Sequence, residues 1–170
     1  MQEFYHNMLK NQLFSKQFWL FNFFACTNRL KVTSIRIKGL TKGRNSMIIG
    51  IGIDMVESDR FLDWSAFKKQ RIFTKKELEY ADNDNARSEK HLANFWAARE
   101  AALKALGTGF GDDISFSDIS VTHNDNGCPE LIFAGGAKNA LKELAGTSAH
   151  VFLSITDQDD YSAAVVVIEK

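Results

Sequence analysis

From residue 47 onward, apolar and polar positions follow regular patterns, and the first of them predicts a strand. In the stretch MIIGIGIDMVE, residues 47–57, apolar side chains alternate with glycines and an acid, and this period of two predicts a strand with one buried apolar face. That face consists of Ile49, Ile51, Ile53 and Met55. The opposite face consists of Gly50, Gly52 and Asp54. Because glycine weakens a strand unless something approaches its backbone closely, we interpret the glycines as clearing space around a functional Asp54.

A second pattern, with a period near 3.6, predicts a long amphipathic helix over residues 89–106. Its core-facing stripe consists of Leu92, Phe95, Trp96, Leu103 and Leu106. Glu100 and Lys104 lie beside this stripe on a flank of small residues that another surface or a ligand could approach, namely Ala93, Ala97 and Ala101. An exposed salt bridge is the alternative for Glu100 and Lys104, worth about 0.3–0.5 kcal/mol. Arg99 falls inside the stripe, where structural pairing and ligand contact are equally compatible with its position.

The remaining patterns predict shorter elements around that helix. Short amphipathic helices come before it, with a capping box formed by Thr74 and Glu77, and a polar loop follows them. Two strands, a helix ended by Gly146 and a closing strand pair come after it. The predicted ranges are 60–76 for the short helices, 81–88 for the loop, 114–125 and 129–135 for the strands, 137–146 for the helix, and 150–156 and 161–169 for the closing pair. This order predicts the α+β class.

Residues 1–46 differ in kind from the rest of the chain. They carry eight basic residues and one acid, whereas residues 47–170 carry thirteen basic and twenty acidic side chains. Their apolar run, QFWLFNFFAC, is too short to span a bilayer and fits a secretory signal poorly. We interpret residues 1–46 as an extension outside the domain, either sequence upstream of a mis-placed start or an organellar transit segment. Residues 47–170 suffice for one domain with a sizeable core.

Asp54 and Glu100, one from the strand and one from the long helix, could share a hard cation. Mg²⁺ prefers oxygen ligands and is usually held by one or two carboxylates together with waters and substrate phosphates. The turn Gly107-Thr108-Gly109 follows the helix directly and offers backbone amides of the kind that bind anions. Because the C-terminus of a helix repels anions, Lys104 and a metal would have to offset that repulsion.

Four stretches together resemble a known family. GIGIDMVESDRF, FWAAREAALKALGTG, PELIF and LSITDQDDYSAAVVVIE are similar, in order and spacing, to the holo-[acyl-carrier-protein] synthases, the short bacterial-type phosphopantetheinyl transferases. The resemblance covers residues 47–170 and implies the phosphopantetheinyl transferase fold, with one long helix packed on a small, mostly antiparallel sheet. It implies an enzyme that transfers 4′-phosphopantetheine from coenzyme A to a serine of apo acyl carrier protein. The reaction would depend on Mg²⁺, release 3′,5′-ADP and serve fatty acid biosynthesis.

The resemblance also implies roles for single residues at the catalytic centre. Asp54 and Glu100 match the family's Mg²⁺ ligands, and Lys104 matches a lysine that contacts the coenzyme A phosphates. We therefore predict these three residues as the catalytic set. The residues predicted to bind coenzyme A are Lys104, Gly107, Thr108 and Gly109.

Partner contacts follow from the same resemblance. Arg60, six residues after Asp54, matches an arginine that holds the acidic carrier protein. The basic segment, defined as Arg60–Lys76, could steer that partner electrostatically. Within it we interpret Arg60 as a partner contact and Lys75 and Lys76 as part of a solvated helix face. Family members are commonly homotrimers with sites at subunit boundaries, so we expect a homotrimer. We expect neither nucleic acid nor membrane as a partner, and we expect a cytoplasmic location, or an organelle if residues 1–46 are a transit segment.

The chain departs from the family's pattern at three places. Arg99 stands where a lysine is usual, and the sequence Gly127-Cys128-Pro129 lacks the lysine of the usual turn. A Ser-His pair near the chain's end is replaced by Thr156 and Asp157, which leaves the role of Asp157 open and removes a candidate histidine base.

The chain has two cysteines, Cys26 and Cys128, which are far apart in the sequence. They do not form the pattern of a disulfide framework, and this favours a reducing compartment.

Three other functions remain open from the sequence. The acceptor could be a carrier domain of a polyketide or peptide synthase, which no residue excludes. The chain could be a non-catalytic module that binds carrier proteins, although the presence of both Asp54 and Glu100 argues against this. It could also be an unrelated Mg²⁺-dependent nucleotide hydrolase, but it has neither a P-loop nor a GxGxxG pattern.

Overall fold

The computed structural model describes residues 46–109 and 113–170. Apart from Ser46, the predicted N-terminal extension lies outside the described residues, as does Cys26. The described chain forms five strands and four α-helices, and it confirms the predicted α+β class. In chain order the elements are β1 (Ile48–Glu57), α1 (Ala66–Ile72), α2 (Lys75–Asp82), α3 (Ser88–Leu106), β2 (Ile119–His123), β3 (Pro129–Phe133), α4 (Gly135–Ala145), β4 (His150–Gln158) and β5 (Tyr161–Glu169).

The larger of the two sheets has three antiparallel strands in the order β1-β5-β4. In its register Asp54 lies opposite Ala164 on β5, and Val56 lies opposite Ser162. The second sheet is the hairpin of β2 and β3. Both strand pairs that the sequence predicts are therefore present, and β1 is added to the edge of the closing pair.

Helix α3 packs on the three-stranded sheet and supplies half of the buried hydrophobic residues of the described core. All five side chains of its predicted core stripe are buried. Its alanine flank lies directly against the glycine face of β1. A Cβ atom added at Gly52 would come within 1.9 Å of the carbonyl oxygen of Ala101, and one at Gly50 within 2.2 Å of that of Ala105. The two glycines thus let the helix backbone approach the strand closely.

The prediction of a buried apolar face on β1 is wrong. Ile51, Ile53 and Met55 are each more than 60% exposed, because the helix covers the glycine face and leaves the apolar face outside. The exposed face continues across the sheet, where Val165 lies opposite Ile53 and Phe152 projects from β4. The face of β1 that carries Asp54 is therefore covered by α3, while the apolar face of the sheet is exposed.

Several element boundaries differ from their predictions for local reasons. The strand predicted over 114–125 starts only at Ile119, because the Ser115 side chain caps a 3₁₀ turn at Phe116–Asp118. Strand β4 continues to Gln158, so the predicted four-residue turn shrinks to two residues, with Asp159 at a φ of 51°. The capping box at Thr74 is present. None of the helices within residues 46–109 and 113–170 has the length and hydropathy that crossing a bilayer requires.

Candidate active site

Asp54 projects from the glycine face of β1 at the margin of the packed helix. Its carboxylate is 16% exposed and accepts a hydrogen bond from the Lys104 ammonium, with 2.7 Å between Nζ and Oδ1. Lys104 also donates to the carbonyl oxygen of Ile53, at 3.0 Å. The Lys104 side chain is half exposed, so this ion pair lies at the opening of the site rather than inside the core.

Glu100 lies one helical turn before Lys104 and is partly buried. Burial raises the pKa of its carboxyl group, and the negative charge of Asp54 raises it further. The positive charges of Lys104 and Arg60 act in the opposite direction. Two mutually repelling carboxylates and two cations therefore share one small region, as the sequence predicts for Asp54, Glu100 and Lys104.

Arg60 stands next to this group. Its guanidinium lies over the Trp96 ring, 4.5 Å from the ring centroid, and the side chain is exposed. Trp96 precedes Glu100 by one helical turn and packs against the rings of Phe116 and Trp64. This cation–π contact fixes an exposed positive charge at the rim of the carboxylate site.

The turn after α3 has the conformation that its glycines permit. Gly107 and Gly109 have φ angles of 75° and 63°. The Gly107 N–H donates to carbonyl groups in the last turn of α3, so this amide is engaged by the helix. The prediction that backbone amides of this turn bind an anion therefore applies to Thr108 and Gly109 only. Thr108 lines a cavity of about 640 Å³ together with Asp113, Asn139 and Glu143.

Arg99 is buried and paired, which decides between the two alternatives that its sequence position left open. Its side chain is fully buried, and its Nη2 donates to Oε2 of Glu77 across 2.6 Å. The structure therefore supports pairing with a buried acid as the role of Arg99, rather than contact with a ligand. Sequence reasoning identified Glu77 only as a capping residue, although an arginine inside an apolar stripe signals that a buried acid must face it.

Comparison with known proteins decides the family. A model of the 4′-phosphopantetheinyl transferase superfamily matches residues 50–166. The chain belongs to this superfamily. The resemblance inferred from the sequence motifs is thereby confirmed, and the chain is an enzyme of the transferase class.

Individual relatives support the same assignment. The chain is 45% identical over 125 residues to a holo-[acyl-carrier-protein] synthase of Treponema denticola, with 72% of this chain and 99% of the relative covered. A synthase of the same name from Shewanella pealeana is 37% identical over 133 residues, with the same coverage. A Bacillus anthracis synthase, solved in complex with CoA (3′,5′-ADP), is 36% identical with a TM-score of 0.60, and 72% of this chain and 97% of that chain are covered.

The carboxylates of this transferase suit a hard cation. Among residues 46–109 and 113–170, no group of three or more His, Cys, Asp or Glu side chains could hold a metal. Asp54 and Glu100 therefore offer two oxygen-donor side chains, and phosphate and water would complete the coordination, as is common for Mg²⁺. Burial and then the charge of Asp54 raise the pKa of Glu100, so a bound cation would favour the ionised form of its carboxyl group. The donor set of the site thus fits Mg²⁺.

Asp157 lies at the end of β4 and accepts a hydrogen bond from the Asn94 side chain on α3, at 3.1 Å. The other Asn94 side-chain atom, Oδ1, is buried and has no hydrogen-bond partner within the described residues. Trp96, which contacts Arg60, is a neighbour of the site that sequence reasoning missed. For Trp96 a signal existed, since it is four residues before Glu100 and so shares its side of the helix.

Proposed function

We propose that this enzyme transfers 4′-phosphopantetheine from coenzyme A to a serine of apo acyl carrier protein and releases 3′,5′-ADP. The observation that carries the proposal is a cluster of three charged residues in a transferase of this superfamily. Asp54 on β1 lies beside Glu100 and Lys104 on α3. The names of the relatives and the CoA complex of the Bacillus anthracis relative support the choice of donor and acceptor. Within this proposal the product serves fatty acid biosynthesis in the cytoplasm.

Asp54 and Glu100 would hold Mg²⁺. When bound, Mg²⁺ would neutralise the negative charge that grows on the pyrophosphate as the phosphorus–oxygen bond breaks. Lys104 would contribute a point charge to the same phosphates, for which its half-exposed ammonium can turn away from Asp54. Thr108 and Gly109 would add backbone amides. Asp54 and Glu100 are also the carboxylates at the site that can accept the proton of the attacking serine.

Arg60 and the residues around it in the basic segment form the proposed docking surface for the carrier protein, whereas the exposed Lys75 and Lys76 belong to a solvated helix face. Arg60 is held at the rim of the carboxylate site by Trp96, so a protein bound there would bring its serine close to the phosphates. Leu62 and Phe67 in the same segment are large apolar residues that are 58% and 70% exposed. An acidic partner with an apolar contact surface would match this combination of charges and apolar side chains.

We propose that the outward apolar face of the sheet is covered in a homotrimer. The face includes Ile51, Ile53, Met55, Phe152 and Val165, all of them exposed in the single subunit. Contiguous apolar surface of this kind marks association sites in soluble proteins. In sedimentation equilibrium the wild-type protein is expected to be trimeric and Ile53→Glu monomeric; a monomeric wild type would contradict the proposal.

The second candidate acceptor is a carrier domain of a polyketide or peptide synthase, and a non-catalytic binding module is the third possibility. Intact-mass measurements on both acceptors, incubated with enzyme, coenzyme A and Mg²⁺, separate these cases. A mass gain of one phosphopantetheine on the fatty acid carrier, with release of 3′,5′-ADP, is expected. A gain only on the synthase domain would change the acceptor, and no gain on either protein would contradict the proposed transfer.

A further inference from the structure

The buried ion pair of Arg99 and Glu77 is the most highly connected polar group in the described part of the core. Arg99 is 0% exposed and Glu77 is 1% exposed. Burial lowers the pKa of Arg99, while the charge of Glu77 and its hydrogen bond raise it. Because an arginine side chain keeps its proton in proteins, a charged guanidinium lies inside an otherwise apolar core.

Each nitrogen of the guanidinium has a fixed partner. Nε donates to the carbonyl oxygen of Phe116 at 3.2 Å, and Nη1 donates to that of Phe95 at 3.1 Å. The third nitrogen, Nη2, donates to Glu77. The Phe73 ring lies 5.1 Å from the guanidinium carbon. The arginine side chain is therefore held in one orientation by partners inside and outside its own helix.

Glu77 extends this network to two further segments. Its Oε2 also accepts from the backbone N–H and the hydroxyl of Thr74, both at 2.8 Å. Its Oε1 accepts from the backbone N–H of Val121 on β2, at 2.8 Å. The pair thus joins the start of α2, the middle of α3, the 3₁₀ turn before β2, and β2 itself.

Stability alone explains this arrangement poorly. A buried ion pair can often be replaced by apolar residues of similar volume without loss of stability, because desolvation offsets the attraction. The side-chain hydrogen bonds from α3 to the sheet, made by Lys104 and Asn94, are exposed, whereas Arg99 bonds to Glu77 inside the core. Where α3 meets β1, the contact is made by alanines and by Gly50 and Gly52, which leave no large side chains to interlock. Such a smooth contact sets the distance between helix and strand more firmly than the rotation of the helix.

We propose that Arg99 is a positioning residue, which fixes the rotation of α3 and thereby presents Glu100 to Asp54. Adjacent residues on a helix point about 100° apart, so anchoring Arg99 in the core directs Glu100 toward the margin of the sheet. The inference rests on the proposed metal site. The planar fork of arginine reaches three separate acceptors, which a lysine at this position could not reach together.

Mn²⁺ binding to the full-length protein tests the inference with a readout other than activity. Titration calorimetry is performed with Mn²⁺ alone on the wild type, Arg99→Met and Arg99→Lys, well below the unfolding temperature of each. Arg99→Met removes the anchor of the helix that carries Glu100 without removing a group bonded to Glu100. The expected loss of Mn²⁺ affinity is therefore about 10-fold, the lower end of what loss of a direct outer partner of a metal ligand causes. Arg99→Lys keeps the positive charge that faces Glu77 but loses the hydrogen bonds to carbonyl groups. Its Mn²⁺ affinity is therefore expected to lie between those of the wild type and Arg99→Met.

A stability control separates positioning from a merely structural role. Leu144→Ala, on α4, removes packing against the core without touching the ion pair and is expected to bind Mn²⁺ like the wild type. Wild-type affinity in folded Arg99→Met would overturn the inference; if that variant does not fold, wild-type affinity in Arg99→Lys would overturn it. A wild-type protein that binds no Mn²⁺ would overturn the proposed metal site, and this inference with it.

Discussion

Glu100 is partly buried beside Asp54. Burial raises the pKa of its carboxyl group above the ordinary value of a glutamate, and the negative charge of Asp54 raises it further. The folded protein therefore binds the Glu100 proton more tightly than the unfolded chain does. The contribution of this group to stability is fully present below the unfolded pKa and is lost as the pH rises through the raised folded pKa. At neutral pH and without a divalent cation, the ionised carboxylate opposes folding.

Replacing this carboxylate is expected to stabilise the protein. Without divalent cations at neutral pH, Glu100→Gln should unfold at a higher temperature than the wild type, because it removes a partly desolvated charge next to Asp54. Near pH 4 the difference should shrink. Thermal unfolding at both pH values checks this, with the exposed Glu79→Gln as a control that leaves the unfolding temperature unchanged. A less stable Glu100→Gln at neutral pH would show that the carboxylate is not under charge repulsion.

Arg60 is expected to act on the carrier protein rather than on coenzyme A. Its charge lies at the rim of the site, where it influences encounter and orientation and is screened by salt. Arg60→Glu should raise the apparent KM for the carrier protein far more than that for coenzyme A, and should flatten the loss of kcat/KM with rising salt. Lys75→Glu, fully solvated in the same basic segment, is the matched control and should change little. A defect confined to coenzyme A would make Arg60 a phosphate contact.

At the scale of elements, the sequence patterns predicted which segments form strands and helices, but not which side of β1 is covered. Alternation defines two faces and contains no information about the partner of each face. The glycines carried that information, since Gly50 and Gly52 are needed only where another backbone comes close. The alanine flank of α3 was predicted to admit a ligand or a surface, and the surface turned out to be β1 itself.

The contact between β1 and α3 gives a prediction at this scale. Gly52→Ala should destabilise the protein by about 1–3 kcal/mol or more, because the new Cβ meets backbone atoms of α3 that cannot turn away. It should also abolish transfer, since α3 carries Glu100 and Lys104. Urea unfolding and a transfer assay are the measurements. Gly146→Ala, strained by its φ of 73° but without a steric neighbour, is the control and should lose stability while keeping transfer activity; a fully active Gly52→Ala would contradict this account.

At the scale of the whole molecule, the candidate site could be predicted as a set of residues but not as an arrangement. The sequence motifs are sufficient to predict Asp54, Glu100, Lys104 and Arg60 as site residues. They do not predict three contacts between residues far apart in the chain: Arg99 with Glu77, Arg60 with the Trp96 ring, and Asn94 with Asp157. Patterns along a sequence report the faces of elements, while pairs between elements depend on topology.

We propose that the catalytic domain begins at residue 47 and that residues 1–46 lie outside it. The superfamily match begins at residue 50, and β1 starts at Ile48. A chain beginning at Met47 should therefore fold and transfer at the rate of the full-length protein. Circular dichroism and the transfer assay on both chains check this, and an insoluble or inactive shorter chain would assign residues 1–46 to the domain.

The central claim is that the carboxylates of Asp54 and Glu100, brought together by β1 and α3, carry out Mg²⁺-dependent transfer of phosphopantetheine. The most direct measurement is the intact mass of apo acyl carrier protein after incubation with coenzyme A, Mg²⁺ and either the wild type, Asp54→Asn or Glu100→Gln. The account predicts one added phosphopantetheine with the wild type, and none with either folded variant or with the wild type in excess chelator. Transfer at a near wild-type rate by either folded variant would contradict it.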